Sequence, residues 1–212
     1  MTLQQQPVFR KYHHTQFNAQ SVKGAKHDTT VSVCLRARTE GATVGQIVGI
    51  IRTELVEREH LVDEIVVVDD RSTDATAAVA TRARALVVPI QCPPEAGAGK
   101  GSAMDTALAT SKGDVIVFLD ADEIDFSTNF VLGPLFSNRS IPFVKATYRR
   151  SLDGVVGEGG RVIELTARPL LGILFPELAQ FGQPLAGACA VRRVANDPLS
   201  LQVDYGLYDL SE

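Results

Sequence analysis

Two carboxylates, Asp120 and Asp122, directly follow a short apolar run from Val115 to Leu119. A run of this length, rich in β-branched and aromatic residues, is typical of a strand buried on both faces. In open α/β sheets, ligands bind at the carboxyl ends of the strands. Carboxylate oxygens suit Mg²⁺ or Mn²⁺, and these ions also bind phosphate oxygens. The pattern indicates a metal that holds a nucleotide-sugar diphosphate, although two solvated carboxylates in a turn remain the simpler alternative.

A second acidic pair, Asp69 and Asp70, follows the apolar run Glu64–Val68. Carboxylates at such a strand end can accept hydrogen bonds from ribose hydroxyls or a base N–H. Alternatively they are helix N-terminal charges, a role that Ser72 and Asp74 can already fill. Two acidic strand ends in one parallel sheet would face the same crevice, which favours a shared ligand site.

The glycine-rich segment Gly97–Ser102 superficially resembles a P-loop. The first glycine that a P-loop requires is Pro94 here, and Lys100 is followed by Gly101 instead of Ser or Thr. We therefore reject that interpretation. A loop that enters a helix remains, with Lys100 able to reach a phosphate or a base.

Strands and helices alternate along the first 120 residues. The strands are expected at Thr30–Leu35, Glu64–Val68, Leu86–Ile90 and Val115–Leu119. The helices are expected at 43–60, 74–85 and 102–111, the first with Thr43 and Gln46 at capping-box spacing. This order predicts an α/β fold with a mostly parallel central sheet and helices on both faces.

The pattern changes after Asn129. Further strands are expected at Phe143–Tyr148 and within Pro184–Arg192, and part of Arg161–Leu174 is expected to be helical. Residues 1–29 are polar and irregular in pattern, which predicts an N-terminal arm packed on a single domain of residues 30–212.

Composition narrows the class of protein. Of the 212 residues, 45% are hydrophobic, enough for a substantial core. A net charge of −4 without a basic block gives no electrostatic case for nucleic acid or an anionic membrane. The three cysteines have no zinc or redox spacing, so free thiols are expected. No apolar run approaches the roughly 18 residues of a membrane span. We expect a cytoplasmic protein.

Several segments match a known family. They are Val31–Leu35, Glu64–Asp70, Ser72–Thr76, Gly99–Gly101, Phe118–Asp122, Gly160–Val162, Glu164–Leu171 and Gln183–Gly187. The acidic pairs are common to many GT-A enzymes, whereas the segments 164–169 and 183–187 are far more specific. The chain resembles the glucosyl-3-phosphoglycerate synthase family of retaining glycosyltransferases, which have the GT-A (nucleotide-diphospho-sugar transferase-like) fold.

The resemblance implies a UDP-glucose donor, Mg²⁺ or Mn²⁺, a small-molecule acceptor and a homodimer. Several residues are expected around the nucleotide, some by matching position and others because they lie at the acidic strand ends. They are Ala37, Glu40, Asp69, Asp70, Ser72, Lys100, Asp120 and Ala121. Asp122 is the expected metal ligand, and the backbone carbonyl of Leu185 would lie near the anomeric carbon. Gly160 and Arg161 are the expected acceptor contacts, since arginine suits phosphate and carboxylate recognition.

The chain also departs from the family pattern. A threonine that helps to bind phosphoglycerate is replaced by Ile163, and a glutamate by Ala188. A glycine after the two aspartates is Arg71, and the family's metal-binding histidine has no counterpart in these 212 residues. Loss of polar groups from a site for a charged substrate costs affinity. We therefore expect 3-phosphoglycerate to be a poor acceptor.

The sequence thus favours glucose transfer from UDP-glucose to a specialised-metabolite or nucleoside-type hydroxyl. One alternative is a glucosyl-3-phosphoglycerate synthase proper. A second is a non-catalytic nucleotide-sugar-binding relative, and a third is a nucleotidyltransferase, which shares the sheet and the acidic strand ends.

Overall fold

An eight-stranded sheet forms the centre of the computed structural model. The structure describes residues 9–91, 99–136, 143–147, 150–152, 155–157, 163–176, 178–181, 183–193 and 205–209. The strands are β1 (Phe9–His13), β2 (Val31–Ala37), β3 (Glu64–Asp69), β4 (Leu86–Pro89), β5 (Val115–Asp120), β6 (Phe143–Thr147), β7 (Arg150–Leu152), β8 (Val155–Gly157), β9 (Cys189–Arg192) and β10 (Tyr205–Asp209). Strands β7 and β8 form a separate antiparallel pair.

Helices connect most of these strands. They are α1 (Ala19–Lys26), α2 (Val44–Ile50, continued by a π-helix Ile51–Arg58), α3 (Thr76–Arg82), α4 (Lys100–Thr110), α5 (Asn129–Phe136) and α6 (Arg168–Leu174, preceded by a π-helix Ile163–Ala167). Short 3₁₀ turns occur at His14–Gln16 and Leu178–Gln180. Among the described residues, no helix is both long enough and apolar enough to cross a bilayer.

The strand order places a crevice at the middle of the sheet. The order is β1-β10-β6-β9-β5-β2-β3-β4, and β9 alone among these strands runs antiparallel to its neighbours. The chain moves outward from β2 to β4 and then returns to pair β5 with the other side of β2. Such a reversal of strand order opens a ligand crevice at the carboxyl ends of the two strands. We call it the β2–β5 crevice.

Alternate residues of the central strands pack on opposite faces of the sheet. One buried cluster contains Val33, Leu35 and Val117, together with residues of α2 and α5. The other contains Val66 and Phe118, together with residues of α4. Burial on both faces explains why these strands read as continuous apolar runs. The expected mostly parallel sheet with helices on both faces is confirmed.

The N-terminal segment is more regular than its composition suggests. Residues Phe9–His13 pair in parallel with β10, almost two hundred positions away along the chain. Helix α1 begins with a capping box in which Asn18 and Ser21 exchange side-chain and backbone hydrogen bonds. Val22 of α1 is buried in the core. These residues thus form regular elements despite their irregular sequence pattern, while the division into an N-terminal arm and one domain stays a prediction.

The structure also tests the expected strand near residue 190 and the expected free cysteines. The strand expected within Pro184–Arg192 begins only at Cys189, because residues 183–188 form a loop that lies against the end of β5. Cys34 and Cys189 are free, as expected, and the structure shows that both are buried. Cys92 lies outside the described residues.

Truncation of a core residue on β2 tests the importance of the central strands. Leu35 is fully buried, so Leu35→Ala should lower the free energy of unfolding by about 2–5 kcal/mol. Leu86→Ala on β4 is the matched control, since Leu86 is 50% exposed and should cost only about 0.5 kcal/mol. Urea unfolding measures both. Equal losses in the two variants would contradict this account of the core.

Candidate functional site

Asp120, the last residue of β5, lies in the β2–β5 crevice between two cations. Its Oδ1 atom lies 3.4 Å from Nη2 of Arg36 on β2, and its Oδ2 atom lies 3.2 Å from Nζ of Lys100. All three side chains are partly exposed. Because both oxygens of Asp120 are engaged, this carboxylate is held in place by elements that are far apart in sequence.

Lys100 connects Asp120 to a third part of the chain. It is the first residue of α4, and its Nζ atom also lies 3.5 Å from the backbone carbonyl oxygen of Leu185. Leu185 belongs to the segment Gln183–Ala188, which we call the 183–188 loop. The Leu185 side chain is 53% exposed, so the carbonyl rather than the side chain is the held group.

The 183–188 loop lies unusually close to Asp120. A Cβ atom added to Gly187 would lie 1.8 Å from Oδ2 of Asp120, so this approach requires glycine. The loop is closed by a hydrogen bond from the Ala186 N–H to the Gln183 carbonyl (3.1 Å). Its end is joined to β6 through the Ala146 N–H and the Ala188 carbonyl (3.0 Å). Gly187 belongs to a family motif, but its approach to Asp120 is visible only in the tertiary structure.

The turn after β5 is fixed through its backbone. The buried Ala121 donates its N–H to the Arg36 carbonyl (3.1 Å), and its own carbonyl accepts the Thr43 hydroxyl (2.5 Å). The expected capping role of Thr43 is wrong, because its side chain makes no hydrogen bond to a backbone N–H of α2. Thr43 instead anchors the turn that leads to Asp122. The Asp122 side chain is exposed, and its charge acts on Glu40.

The loops after β2 and β3 are tied together. The N–H of Glu40 donates to Oγ1 of Thr76 (2.9 Å), and the N–H of Thr39 donates to Oγ of Ser72 (2.9 Å). Ser72 in turn donates its N–H to Oδ1 of Asp69 (3.2 Å). Three of the residues expected around the nucleotide, Glu40, Ser72 and Asp69, are therefore brought into one network.

Ala37 and Asp70 are enclosed. The Ala37 carbonyl accepts the Asp70 N–H (2.8 Å), and the Ala37 side chain is fully buried. The Asp70 side chain is 1% exposed, and neither carboxylate oxygen has a hydrogen-bond partner among the described residues. In this conformation a ligand reaches neither side chain, so Ala37 can offer only backbone atoms and the role of Asp70 stays a prediction.

Negative charge accumulates around Glu40. Burial raises the pKa of the Glu40 carboxyl, the neighbouring Asp122 raises it further, and Asp74 and Asp120 act in the same direction. The Arg36 guanidinium partly opposes them. Convergent carboxylates that disfavour each other's ionised form suit a hard divalent cation, which prefers oxygen ligands.

Asp122 is the best placed of these carboxylates to bind a metal. Unlike Asp120, it forms no ion pair with any other described residue. Within the described ranges, no group of three or more His, Cys, Asp or Glu side chains could hold a metal alone. The donor set fits Mg²⁺ or Mn²⁺ only if further ligands, such as phosphate oxygens, complete the coordination shell.

Only some of the residues expected near the acceptor lie within the part of the chain that the structure describes. The predicted contacts Gly160 and Arg161 lie outside the described residues. Ile163 is half-buried at the start of the π-helix before α6. Ala188 is buried and lines a small pocket beside Asp120, with Leu119, Phe126 and Phe130 among its neighbours. The acceptor contacts therefore stay predictions.

Comparison with known proteins gives the same class as the fold and the site. Residues 32–128 match the model of glycosyl transferase family 2. The chain is 39% identical over 215 residues to glucosyl-3-phosphoglycerate synthase of Mycobacterium tuberculosis H37Rv, covering 95% of this chain and 65% of that protein. The protein of the same name from Petrotoga mobilis is 36% identical, with 93% and 65% covered. The chain thus spans about two thirds of the length of these curated relatives.

Solved structures agree. Mannosyl-3-phosphoglycerate synthase from Rubrobacter xylanophilus superposes with a TM-score of 0.81 at 35% identity, covering 96% of this chain and 72% of that one. Glucosyl-3-phosphoglycerate synthase from M. tuberculosis in complex with Mn²⁺, UDP and phosphoglyceric acid gives 0.77 at 33% identity, with 98% and 78% covered. The fold is that of the GT-A glycosyltransferases. At 33% identity over 78% of the M. tuberculosis chain, the protein belongs to the glucosyl-3-phosphoglycerate synthase family, which confirms the resemblance drawn from its motifs.

The raised pKa of Glu40 gives a pH-dependent prediction. A carboxyl whose pKa is higher in the folded than in the unfolded state stabilises the fold only below its unfolded pKa, and that contribution is lost as pH rises through the folded pKa. Glu40→Gln, which mimics the protonated form, should therefore raise the urea midpoint at pH 7.5. The gain should shrink towards pH 4.

Glu57→Gln, at an exposed position on the π-helix after α2, is the matched control. Unfolding of both variants at pH 7.5 and pH 4 measures the difference. A gain for Glu40→Gln that does not change with pH, or that Glu57→Gln reproduces, would contradict this electrostatic account.

Proposed function

We propose that this protein is a metal-dependent, retaining glucosyltransferase that moves glucose from UDP-glucose to the hydroxyl group of 3-phosphoglycerate. The observation that carries the proposal is the placement of the Lys100 ammonium between Asp120 and the Leu185 carbonyl. It brings a phosphate-binding cation, an acidic strand end and a backbone carbonyl together in one crevice.

The donor would lie across the β2–β5 crevice. The loops after β2 and β3 would contact the nucleoside through backbone atoms of Ala37 and the side chains of Glu40, Ser72 and Asp69. Lys100 lies where it can contact a phosphate, and Asp122 would hold the metal. When bound, Mg²⁺ or Mn²⁺ neutralises charge on the departing diphosphate.

The reaction requires no dedicated base. In a retaining front-face mechanism the acceptor oxygen bonds to the anomeric carbon as the bond to the diphosphate oxygen breaks, on the same side of the sugar. The acceptor hydroxyl proton passes to the departing phosphate oxygen. The Leu185 carbonyl, held by Lys100, would lie near the anomeric carbon and stabilise positive charge that develops there.

The relatives support 3-phosphoglycerate as the acceptor. Curated proteins at 36–41% identity are named glucosyl-3-phosphoglycerate synthases, and one solved structure of that enzyme contains Mn²⁺, UDP-glucose and phosphoglyceric acid. These names favour the alternative raised by the sequence over its main interpretation, a specialised-metabolite or nucleoside-type acceptor.

Mass spectrometry tests the proposal directly. The purified protein, incubated with UDP-glucose, Mn²⁺ and 3-phosphoglycerate, should form a hexosyl-phosphoglycerate and UDP in equal amounts. A parallel reaction with a mannose donor tests the sugar, because the Rubrobacter neighbour is a mannosyl enzyme. UDP binding without product or UDP release would instead support a non-catalytic relative. Pyrophosphate from UTP and glucose 1-phosphate would indicate a nucleotidyltransferase.

Removal of the Asp122 carboxylate tests the metal site. Asp122→Ala should weaken Mn²⁺-dependent UDP binding by at least about tenfold, because removal of a metal ligand costs more than the 10-fold minimum typical of an outer-shell partner. Asp125→Ala is the matched control, since Asp125 is also exposed and lies three residues further along the chain. Calorimetric titration with UDP, with and without Mn²⁺, measures both. Unchanged binding by Asp122→Ala would exclude Asp122 as the metal ligand.

The second candidate acceptor is the specialised-metabolite or nucleoside-type hydroxyl favoured by the sequence. It rests on the loss of polar groups at Ile163 and Ala188, where the family has a threonine and a glutamate. A competition assay that mixes 3-phosphoglycerate with nucleosides and small alcohols separates the two candidates. If 3-phosphoglycerate accounts for less than half of the product, the second candidate is the better one.

The expected homodimer and cytoplasmic location stay predictions. Light scattering tests the first: a dimer should give twice the chain mass of 22.8 kDa. A mass of one chain at assay concentration would contradict it.

A further inference from the structure

Lys145 is a buried lysine whose purpose the proposed chemistry does not explain. It lies on β6, and only 8% of it is exposed. No carboxylate among the described residues lies within ion-pair distance of it. Burial of an ammonium group without a charged partner is costly, so most buried lysines are paired. An apolar residue of similar length would avoid this cost.

The Lys145 ammonium has one hydrogen-bond acceptor among the described residues. Its Nζ atom donates to the backbone carbonyl of Ala186 at 2.6 Å, and this contact is buried. Hydrogen bonds from a charged donor are shorter and about twice as strong as neutral ones. From β6, Lys145 therefore holds the middle of the 183–188 loop through the Ala186 carbonyl.

Ala186 lies between the two loop residues that meet the site. The carbonyl of Leu185, immediately before it, lies 3.5 Å from Nζ of Lys100. Gly187, immediately after it, lies against the Asp120 carboxylate. Two lysines thus hold two successive carbonyl groups of one loop, Lys100 from α4 and Lys145 from β6. With both peptide oxygens held, the direction of the Leu185 carbonyl is set.

The electrostatics of Lys145 agree with this geometry. Burial lowers the pKa of its ammonium, and the charge of Lys100 lowers it further, while Cys189 and Asp120 act in the opposite direction. Lys100 and Asp120 therefore lie close enough for their charges to act on Lys145.

We propose that Lys145 is a positioning residue for glycosyl transfer: it holds the Leu185–Gly187 backbone so that the Leu185 carbonyl is directed at the anomeric carbon. It touches neither substrate nor metal in this role. The proposal rests on the proposed function, because the carbonyl matters only if a sugar is transferred there. A loop that is slightly misplaced should lower kcat strongly and donor affinity little.

Lys145→Met tests this role, because methionine fills similar space without the charge or the donor. In the presence of Mn²⁺ we expect kcat to fall about 10- to 100-fold, with UDP affinity within about threefold of wild type. Lys145→Arg, which keeps a charged donor, should recover part of kcat. Lys23→Met, at an exposed position on α1, is the matched control and should match wild type.

A second readout does not depend on activity. Protein labelled with carbonyl-¹³C alanine and ¹⁵N-glycine gives amide signals from its Ala-Gly pairs, which are 96–97, 98–99 and 186–187. The Gly187 amide signal should move in Lys145→Met. The Gly187 N–H shares its peptide group with the Ala186 carbonyl, which loses its charged hydrogen-bond donor in this variant. If Lys145→Met does not fold, Lys145→Gln replaces it, since its amide is one bond too short to reach Ala186.

The outcomes separate the two proposals. If wild type forms no glycosylated product, the proposed function fails, whereas an unmoved Gly187 signal in Lys145→Met overturns the positioning contact alone. If wild type is active and Lys145→Met keeps kcat within about threefold, the positioning role is wrong. Parallel losses of kcat, UDP affinity and thermal stability would also overturn it, because they indicate a merely structural lysine.

Discussion

The site depends on how the Asp120 carboxylate is held at the end of β5. Arg36 reaches it from β2, Lys100 reaches it from the start of α4, and Gly187 brings the 183–188 loop against it. A carboxylate at this depth needs partners to offset its desolvation. The same partners define the crevice, so the interactions that offset this cost also fix the positions of Lys100 and of the Leu185 carbonyl.

Several carboxylates of the crevice act on one another's ionisation. Burial and the charges of Asp122, Asp74 and Asp120 raise the pKa of the Glu40 carboxyl, and Arg36 opposes them only in part. Such an arrangement costs stability, as functional sites commonly do. A divalent cation would relieve the excess negative charge, and a diphosphate would in turn meet both that cation and Lys100. The carboxylates that lower the stability of the fold are thus the same groups that would attract a divalent cation.

The loop that carries Leu185 illustrates how the unusual strand β9 contributes. This strand is inserted antiparallel between β5 and β6, so the loop that precedes it must cross the carboxyl end of β5. Glycine at position 187 permits that crossing, and Lys145 and Ala146 on β6 hold the loop from the other side. The position of the Leu185 carbonyl is thus a consequence of sheet topology.

Local patterns in the sequence determined the parallel half of the sheet, the acidic strand ends and the family. Runs such as Val115–Leu119 are buried on both faces, so their apolar character is visible without neighbours. Only the tertiary structure decided the pairing of β1 with β10, the enclosure of Asp70, the link from Thr43 to Ala121 and the contact of Lys145 with Ala186. Each joins residues that no local periodicity relates, because the contact exists only after the sheet has assembled. A lysine on a strand and a threonine before a helix look ordinary in sequence, and their roles come from the distant backbone carbonyls that they meet.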